Sequence, residues 1–332
     1  MAEPIPHPRD VFDLFGHEAA EAAFEAARAR GRLHHAWMLT GPEGVGKASF
    51  AYRAARRLLG APAAPMFGVL GVDPAHPVSR QVSVRSHPDL LVLEREGPDG
   101  KIRKGIPVDD ARQLSEFFSK SPATAPYRVA IIDAADDLNA NAANAVLKTL
   151  EEPPARGVIL LVSHSPGRLL PTVRSRCRRL ALAPLALDEV AGFVENRADV
   201  MGEDAARLAA MSGGAPGRAW SLASSGALAL DDAAADILAH LPQVDEAQAL
   251  ALADRFRGAE GAITFGLLFS RLADRLHQGL VAQAQAGQGG LDRWARAWET
   301  LQRLPREVEA VNLDRTDALF TVLTELRDAA RG

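Results

Sequence analysis

A single cysteine, Cys177, stands in 332 residues. One thiol cannot close an intramolecular disulfide or build a four-cysteine zinc site, so both kinds of framework are excluded. That usage fits a reducing cytoplasm, the compartment expected here. Aromatic residues make up only 5% of the chain. No run of about 18 apolar residues occurs, so no membrane span and no membrane partner are expected. The opening segment MAEPIPHPRDVFDLFGHE lacks a basic stretch followed by an apolar one, and no signal peptide is expected from it. Excess charge is missing too. A formal charge of −4 argues against coating nucleic acid by bulk charge, although a local basic patch is compatible with it. What is present is an alanine-rich composition, 47% hydrophobic and 24% charged. That composition favours helix, and the length suits two or three domains.

Apolar β-rich runs alternate with helical stretches through the first half. Residues 36–40 (AWMLT) and 128–133 (RVAIID) read as buried strands, 157–163 (GVILLVS) as a third apolar β-rich strand and 89–95 (DLLVLER) as a strand candidate. Residues 17–30, 48–59, 108–119 and 138–151 read as helices, the last stopped by Pro153-Pro154. Residues 1–16 are Pro-rich and read as extended over the surface of the first domain. Residues 60–88 are rich in Gly and Pro and read as an irregular excursion. Alternation of this kind implies a parallel sheet covered on both faces. After Pro184 the strands stop. Short helices at 188–197, 205–212 and 215–224 are followed by helix from Asp231 onward, broken near Pro242, Gly258, Gly287–Gly290 and Pro305; the Ala/Gln/Gly stretch at 282–290 reads as a loop and GPDGKIRKG at 97–105 as a charged turn. The expected fold class is α/β, then all-α. The expected parts are a nucleotide-binding-type α/β domain over 1–183, a small helical domain over 184–229 and a C-terminal helical domain over 230–332.

Gly41-Pro42-Glu43-Gly44-Val45-Gly46-Lys47-Ala48 has the form of a phosphate-binding loop with its last position altered. Gly41, Gly44 and Gly46 let backbone N–H groups turn toward phosphate oxygens, and Lys47 neutralises them. Ser or Thr normally follows the lysine and holds Mg²⁺; here Ala48 does not. Ser49 lies one residue further on, about 100° around the helix. Strand, loop and helix come in the order such a loop requires. Downstream, RVAIID ends at Asp133, which in a nucleotide site stands beside the metal. The next position, where a water-orienting glutamate would act as base, is Ala134. A third motif, Ser175-Arg176-Cys177, lies in a span holding Arg168, Arg174, Arg176, Arg178 and Arg179. An arginine at a subunit edge can reach a neighbour's γ-phosphate.

Four stretches carry a specific resemblance: RLHHAWMLTGPEGVGKASFA, VAIIDAADDLNANAANAVLKTLEEPP, LLPTVRSRCR and SGGAPGRAW. In this order, from about residue 10 to 220, they resemble the AAA+ clamp-loader family of bacterial DNA polymerase III, within it the delta-prime branch. The C-terminal third matches only in length and helical character. The resemblance implies a P-loop AAA+ domain, a helical lid and a C-terminal oligomerisation collar. It implies Arg176 as an arginine finger acting in trans and Arg218, in GGAPGR, as the second sensor. The first sensor falls on Ser163, His164 or Ser165. The implied role is in DNA replication, in a hetero-oligomer with gamma/tau ATPase subunits and a delta subunit, and indirectly with a sliding clamp and primed DNA. ATP or ADP would be held at Gly41, Gly44, Gly46, Lys47, Asp133 and Arg218 without efficient hydrolysis. The chain would then have no independent activity, while serving as a subunit of a DNA-directed DNA polymerase. Many relatives carry four zinc-binding cysteines after the loop helix; residues 60–88 have none, so no structural zinc is expected.

Plainer readings compete at each position. Asp133 could cap a strand, Arg176 could be one of several solvated arginines, and Arg218 a helix-surface cation. His34 and His35 are adjacent, so they point differently, and no third ligand is nearby, so they are not read as a metal site. Cys177 reads as a packing residue. Leu267, Leu268, Leu272 and Leu280 fall near helical spacing and read as core or subunit contact. Two other functions remain as alternatives. An active gamma/tau-like ATPase would need Ser or Thr at 48 and Glu at 134. A P-loop nucleotide kinase would need an arginine-rich lid acting in cis.

Overall fold

The apolar runs of the first half become the centre of a parallel sheet. The computed structural model describes residues 5–97, 100–287 and 290–331. It divides into two compact units, Met1–Ser221 and Leu222–Gly332.

In the first unit five strands, β1 (Ala36–Thr40), β2 (Leu90–Glu94), β3 (Arg128–Asp133), β4 (Gly157–Ser163) and β5 (Arg178–Ala181), lie in the order β2-β3-β4-β1-β5. Every pairing is parallel, with Ala36 opposite Ile159 and Glu94 opposite Asp133. Helices α1 (Glu18–Ala29), α2 (Lys47–Leu58), α3 (Pro77–Ser83), α4 (Val108–Phe118), α5 (Ala140–Glu151) and α6 (Pro171–Arg174) cover it. The two-residue period of the strands sorts the core. Trp37, Leu39, Val129, Ile131, Leu160 and Val162 join Phe24 of α1 and Phe50 of α2 on one face. Met38, Ala130, Ile132, Ile159 and Leu161 join Leu114 of α4 and Val146 of α5 on the other. Helices α7 (Leu187–Ala198), α8 (Gly202–Ser212) and α9 (Pro216–Ser224) follow.

The second unit is helical: α10 (Ala227–Ala239), α11 (Glu246–Ala253), α12 (Gly258–Gln285), α13 (Asp292–Val311) and α14 (Arg315–Arg331). Leu268 and Leu272 lie in its core, with Leu267 and Leu280 packed against it. A bidentate pair, Arg275 on Asp231 at 2.8 and 2.6 Å, ties α12 to α10.

Four local expectations change. β5 (RRLA) was not read as a strand. It is an edge strand whose arginines are exposed, so it shows no apolar run, and charge suits such an edge. The 60–88 excursion contains a short helix, α3, started by Pro77 at its first position and by the His76 side chain accepting from the Val78 N–H. Pro305 does not break the chain: α13 runs through it. Residues 282–285, read with the 282–290 loop, belong to α12; residues 288 and 289 lie outside the described residues. Residues 98 and 99 of the charged turn at 97–105 also lie outside them.

Among the described residues no helix is long and apolar enough to cross a membrane. No cluster of three potential metal ligands occurs among them either.

Candidate functional site

The loop from Gly41 to Gly46 leaves the end of β1 and enters α2, whose first residue is Lys47. Gly44 has φ +77°, and a Cβ there would lie 2.4 Å from the Arg218 backbone nitrogen. Only glycine lets the loop pass this close to the start of α9. Three donors hold the loop's carbonyls. Lys47 Nζ donates to Gly41 O at 2.7 Å and Pro42 O at 2.6 Å. The Gly217 N–H donates to Gly44 O at 2.8 Å. His17 Nε2 donates to Val45 O at 2.8 Å. Lys47 is buried, and burial lowers its pKa to about 8, so it remains a cation at neutral pH.

A cavity of about 420 Å³ opens beside the loop. Gly44, Gly46, Lys47, Ala48 and Ser49 border it on one side, and Asp133 and His164 border its floor. Val11, Leu14, Phe15, Phe193 and Trp220 give the remaining wall an apolar, partly aromatic character. Phe15 lies tilted against Phe193 at 5.4 Å between ring centres, and Phe193 meets Trp220 edge-on at 6.0 Å. An ion pair between Arg197 and Asp13 ties α7 to the N-terminal segment. Asp133 ends β3. Burial pushes its carboxyl up to about 6, and the neighbouring Glu94 carboxylate adds to the rise. Burial, then the Lys47 charge, lowers the His164 pKa, so a neutral imidazole faces the cavity at pH 7.

The structure thus brings Gly44, Gly46, Lys47 and Asp133 together around one space, with Gly41 tied in through Lys47. Arg218 meets this group through its backbone at Gly44, while its side chain is exposed and does not border the cavity. Arg176 lies apart. Its guanidinium donates to Thr172 O at 3.0 Å and pairs with Glu151 at 3.0 Å. Burial pushes the Cys177 thiol up to about 12, so it stays protonated at neutral pH.

Two determinants escaped the sequence reading. Asp136 accepts from Ser163 Oγ (2.9 Å), His164 N (2.5 Å) and Ser165 N (3.2 Å), so one carboxylate arranges all three first-sensor candidates. Its only signal was its place in the acidic DAADD run after β3. The second is the N-terminal segment. Residues 8–10 form a short 3-10 turn, and the segment supplies one wall of the cavity.

The chemistry available is that of a nucleotide cradle: a cation, the N-terminus of α2, a carboxylate and an apolar slot. A family described as DNA polymerase III, delta subunit matches residues 16–186. The chain belongs to this family. Its motif resemblance to the delta-prime branch is borne out. A DNA polymerase III subunit delta' of Pseudomonas aeruginosa is 36% identical over 208 residues, covering 62% of this chain and 61% of the relative. A DNA polymerase III subunit tau of Salmonella typhimurium is 31% identical over 192 residues, covering 57% of this chain and 28% of the relative. The matches therefore span less than two thirds of these relatives. A Thermotoga maritima DNA polymerase III gamma subunit-related protein shares the fold. Its TM-score is 0.51 at 18% identity, covering 95% of this chain and 99% of that one. What the two share is the fold: a parallel sheet with its glycine loop, followed by helices.

Proposed function

We propose that the chain is a clamp-loader subunit of a DNA polymerase III holoenzyme. It holds ATP or ADP without turning it over and lends Arg176 to the nucleotide of a neighbouring ATPase subunit. Gamma/tau-type subunits and a delta subunit are its partners, and the assembly opens a sliding clamp and loads it on primed DNA in the cytoplasm. Residues 184–229 serve as the lid and 230–332 as the collar, and no zinc is required. Arg218 serves the second sensor, and His164, the first-sensor candidate bordering the cavity, serves the first. The observation that carries the reading is a division of labour. Ala48 borders the cavity without a hydroxyl, and Ala134 follows Asp133 without a carboxylate. Meanwhile Arg176 stands away from that cavity with 36% of its side chain exposed. A metal ligand and a base are what hydrolysis in cis needs, and an accessible guanidinium is what hydrolysis in trans needs.

The test is Arg176→Ala in the reconstituted loader. DNA-stimulated ATP hydrolysis should fall by about tenfold or more, with assembly intact. Normal hydrolysis by that variant would overturn the finger. The isolated chain should bind nucleotide equally with and without Mg²⁺ and turn over none.

The likeness to tau subunits, with Lys47 and Asp133 in place and Ser49 at the cavity edge, favours a second reading as an active ATPase. Turnover by the isolated chain that Lys47→Ala abolishes would establish it.

A further inference from the structure

We propose that Glu151 is the positioning residue for Arg176, an inference that rests on the arginine-finger reading above. An arginine finger works only if its planar fork is presented in one orientation, because a long side chain free in solvent samples many rotamers. Arg176 is held at two of its three nitrogens by two different elements. Nη1 donates to Thr172 O of α6 at 3.0 Å, and Nη2 pairs with Glu151 Oε1 at the end of α5 at 3.0 Å. Two anchors fix the plane of the guanidinium, whereas one would leave it free to rotate.

The carboxylate is at an unusual place for its own helix. Glu151 is the last residue of α5, at the negative end of the helix dipole, with Glu152 beside it. A carboxylate there is disfavoured unless a cation answers it. Arg176 answers it, while the arginines that follow are committed to β1. Arg178 lies over the Trp37 ring at 4.8 Å, and Arg179 Nε donates to Thr40 Oγ1 at 3.1 Å. The pair is open enough to act outward, with 36% of the Arg176 and 47% of the Glu151 side chain exposed. Such a pair adds little to stability. Its effect is on where the charge points.

The experiment uses the loader assembled with its ATPase subunits and reads kcat and KM for ATP in DNA-stimulated hydrolysis. Glu151→Ala and Glu151→Gln should each lower kcat by about tenfold with KM little changed, since a misdirected group costs rate rather than ground-state binding. Glu151→Asp should recover most of the rate. Assembly and melting temperature should not move. In an Arg176→Ala background, Glu151→Ala should change the rate by less than about twofold. Should Glu151→Ala keep or raise the parental rate while Arg176→Ala is slow, or should the two losses multiply, the positioning role is wrong and the finger stands. Normal hydrolysis by Arg176→Ala alone removes the finger, and the positioning role with it.

Discussion

Glu21→Ala should strongly destabilise the first unit, although Glu21 does not border the cavity. Its carboxylate lies inside the unit against Arg53 of α2, with side-chain exposures of 3% and 1%. Arg53 Nε donates to Oε1 at 2.6 Å, and Nη2 donates to Oε2 at 3.2 Å and to Phe67 O at 2.8 Å. The Leu70 N–H donates to Oε2 at 3.1 Å. This pair therefore pins the 60–88 excursion onto α1 and α2. Removing the carboxylate strands a buried guanidinium, worth about 3–5 kcal/mol, and orphans a buried N–H, worth about 1–3 kcal/mol. The two losses share a site and do not simply add, so about 4 kcal/mol is expected. At 1.4 kcal/mol per decade, that is about a thousandfold more of the open state. Hydrogen exchange of α2 amides reads it without interference from the second unit. The pair Glu21→Leu with Arg53→Met should recover the part of the loss due to the stranded guanidinium, because an apolar filling needs no partner, but not the part due to the Leu70 N–H, which stays orphaned. A drop in α2 protection of less than about tenfold for Glu21→Ala, or a double variant no better than the single, would refute the reasoning.

Three further outcomes follow from the site. Gly44→Ala puts a Cβ 2.4 Å from Arg218 N at φ +77°; it should cost about 1–2 kcal/mol in backbone strain alone, part α9 from the loop and abolish nucleotide binding in a titration. Asp136→Ala removes the acceptor of Ser163, His164 and Ser165; it should cost about 1–3 kcal/mol in denaturant unfolding and weaken nucleotide binding, and unchanged values on both counts would deny it a role. Asp133 and Lys47 make stability depend on pH. Asp133 titrates near 6 rather than 3.8, so its contribution is fully present below about 4 and is lost as pH rises through about 6. Lys47 titrates near 8 rather than 10.5, so its contribution is present above about 10.5 and is lost as pH falls through about 8. Melting curves should show both limbs, with Asp133→Asn erasing the acidic one and Lys47→Met the basic one.

What could be read from the chain depended on whether the physics was local. β1, β3 and β4 were legible because sheet-centre strands covered on both faces must be apolar at nearly every position. β5 was not, because an edge strand need not be apolar. Pro305 misled because a proline cannot supply its helical N–H, yet the buried Leu301, Leu304 and Val308 of α13 hold the helix on both sides of it. At the site, Lys47 and Asp133 announce themselves through spacing. His17 and Asp136 do not, since their partners lie 28 and 27–29 residues away and no short pattern encodes such pairs.

The same distinction explains why a loop with alanine at 48 can keep its glycines and lysine. At Gly41 a Cβ would meet Leu182 O at 2.3 Å, and at Gly44 it would meet the α9 backbone, so both positions are required by packing whether or not a phosphate is ever bound. Lys47 holds two loop carbonyls itself, and Gly217 and His17 hold two more. The cradle is thus a joint between the sheet, α9 and the N-terminal segment as well as a place for phosphate. Nothing comparable is required at 48 or 134. A hydroxyl at 48 and a carboxylate at 134 are what the metal and the attacking water would use. Loss of hydrolysis would therefore cost the fold little at those two positions and much at the glycines. Under the proposed role in trans, the first pair is dispensable and the glycines are not.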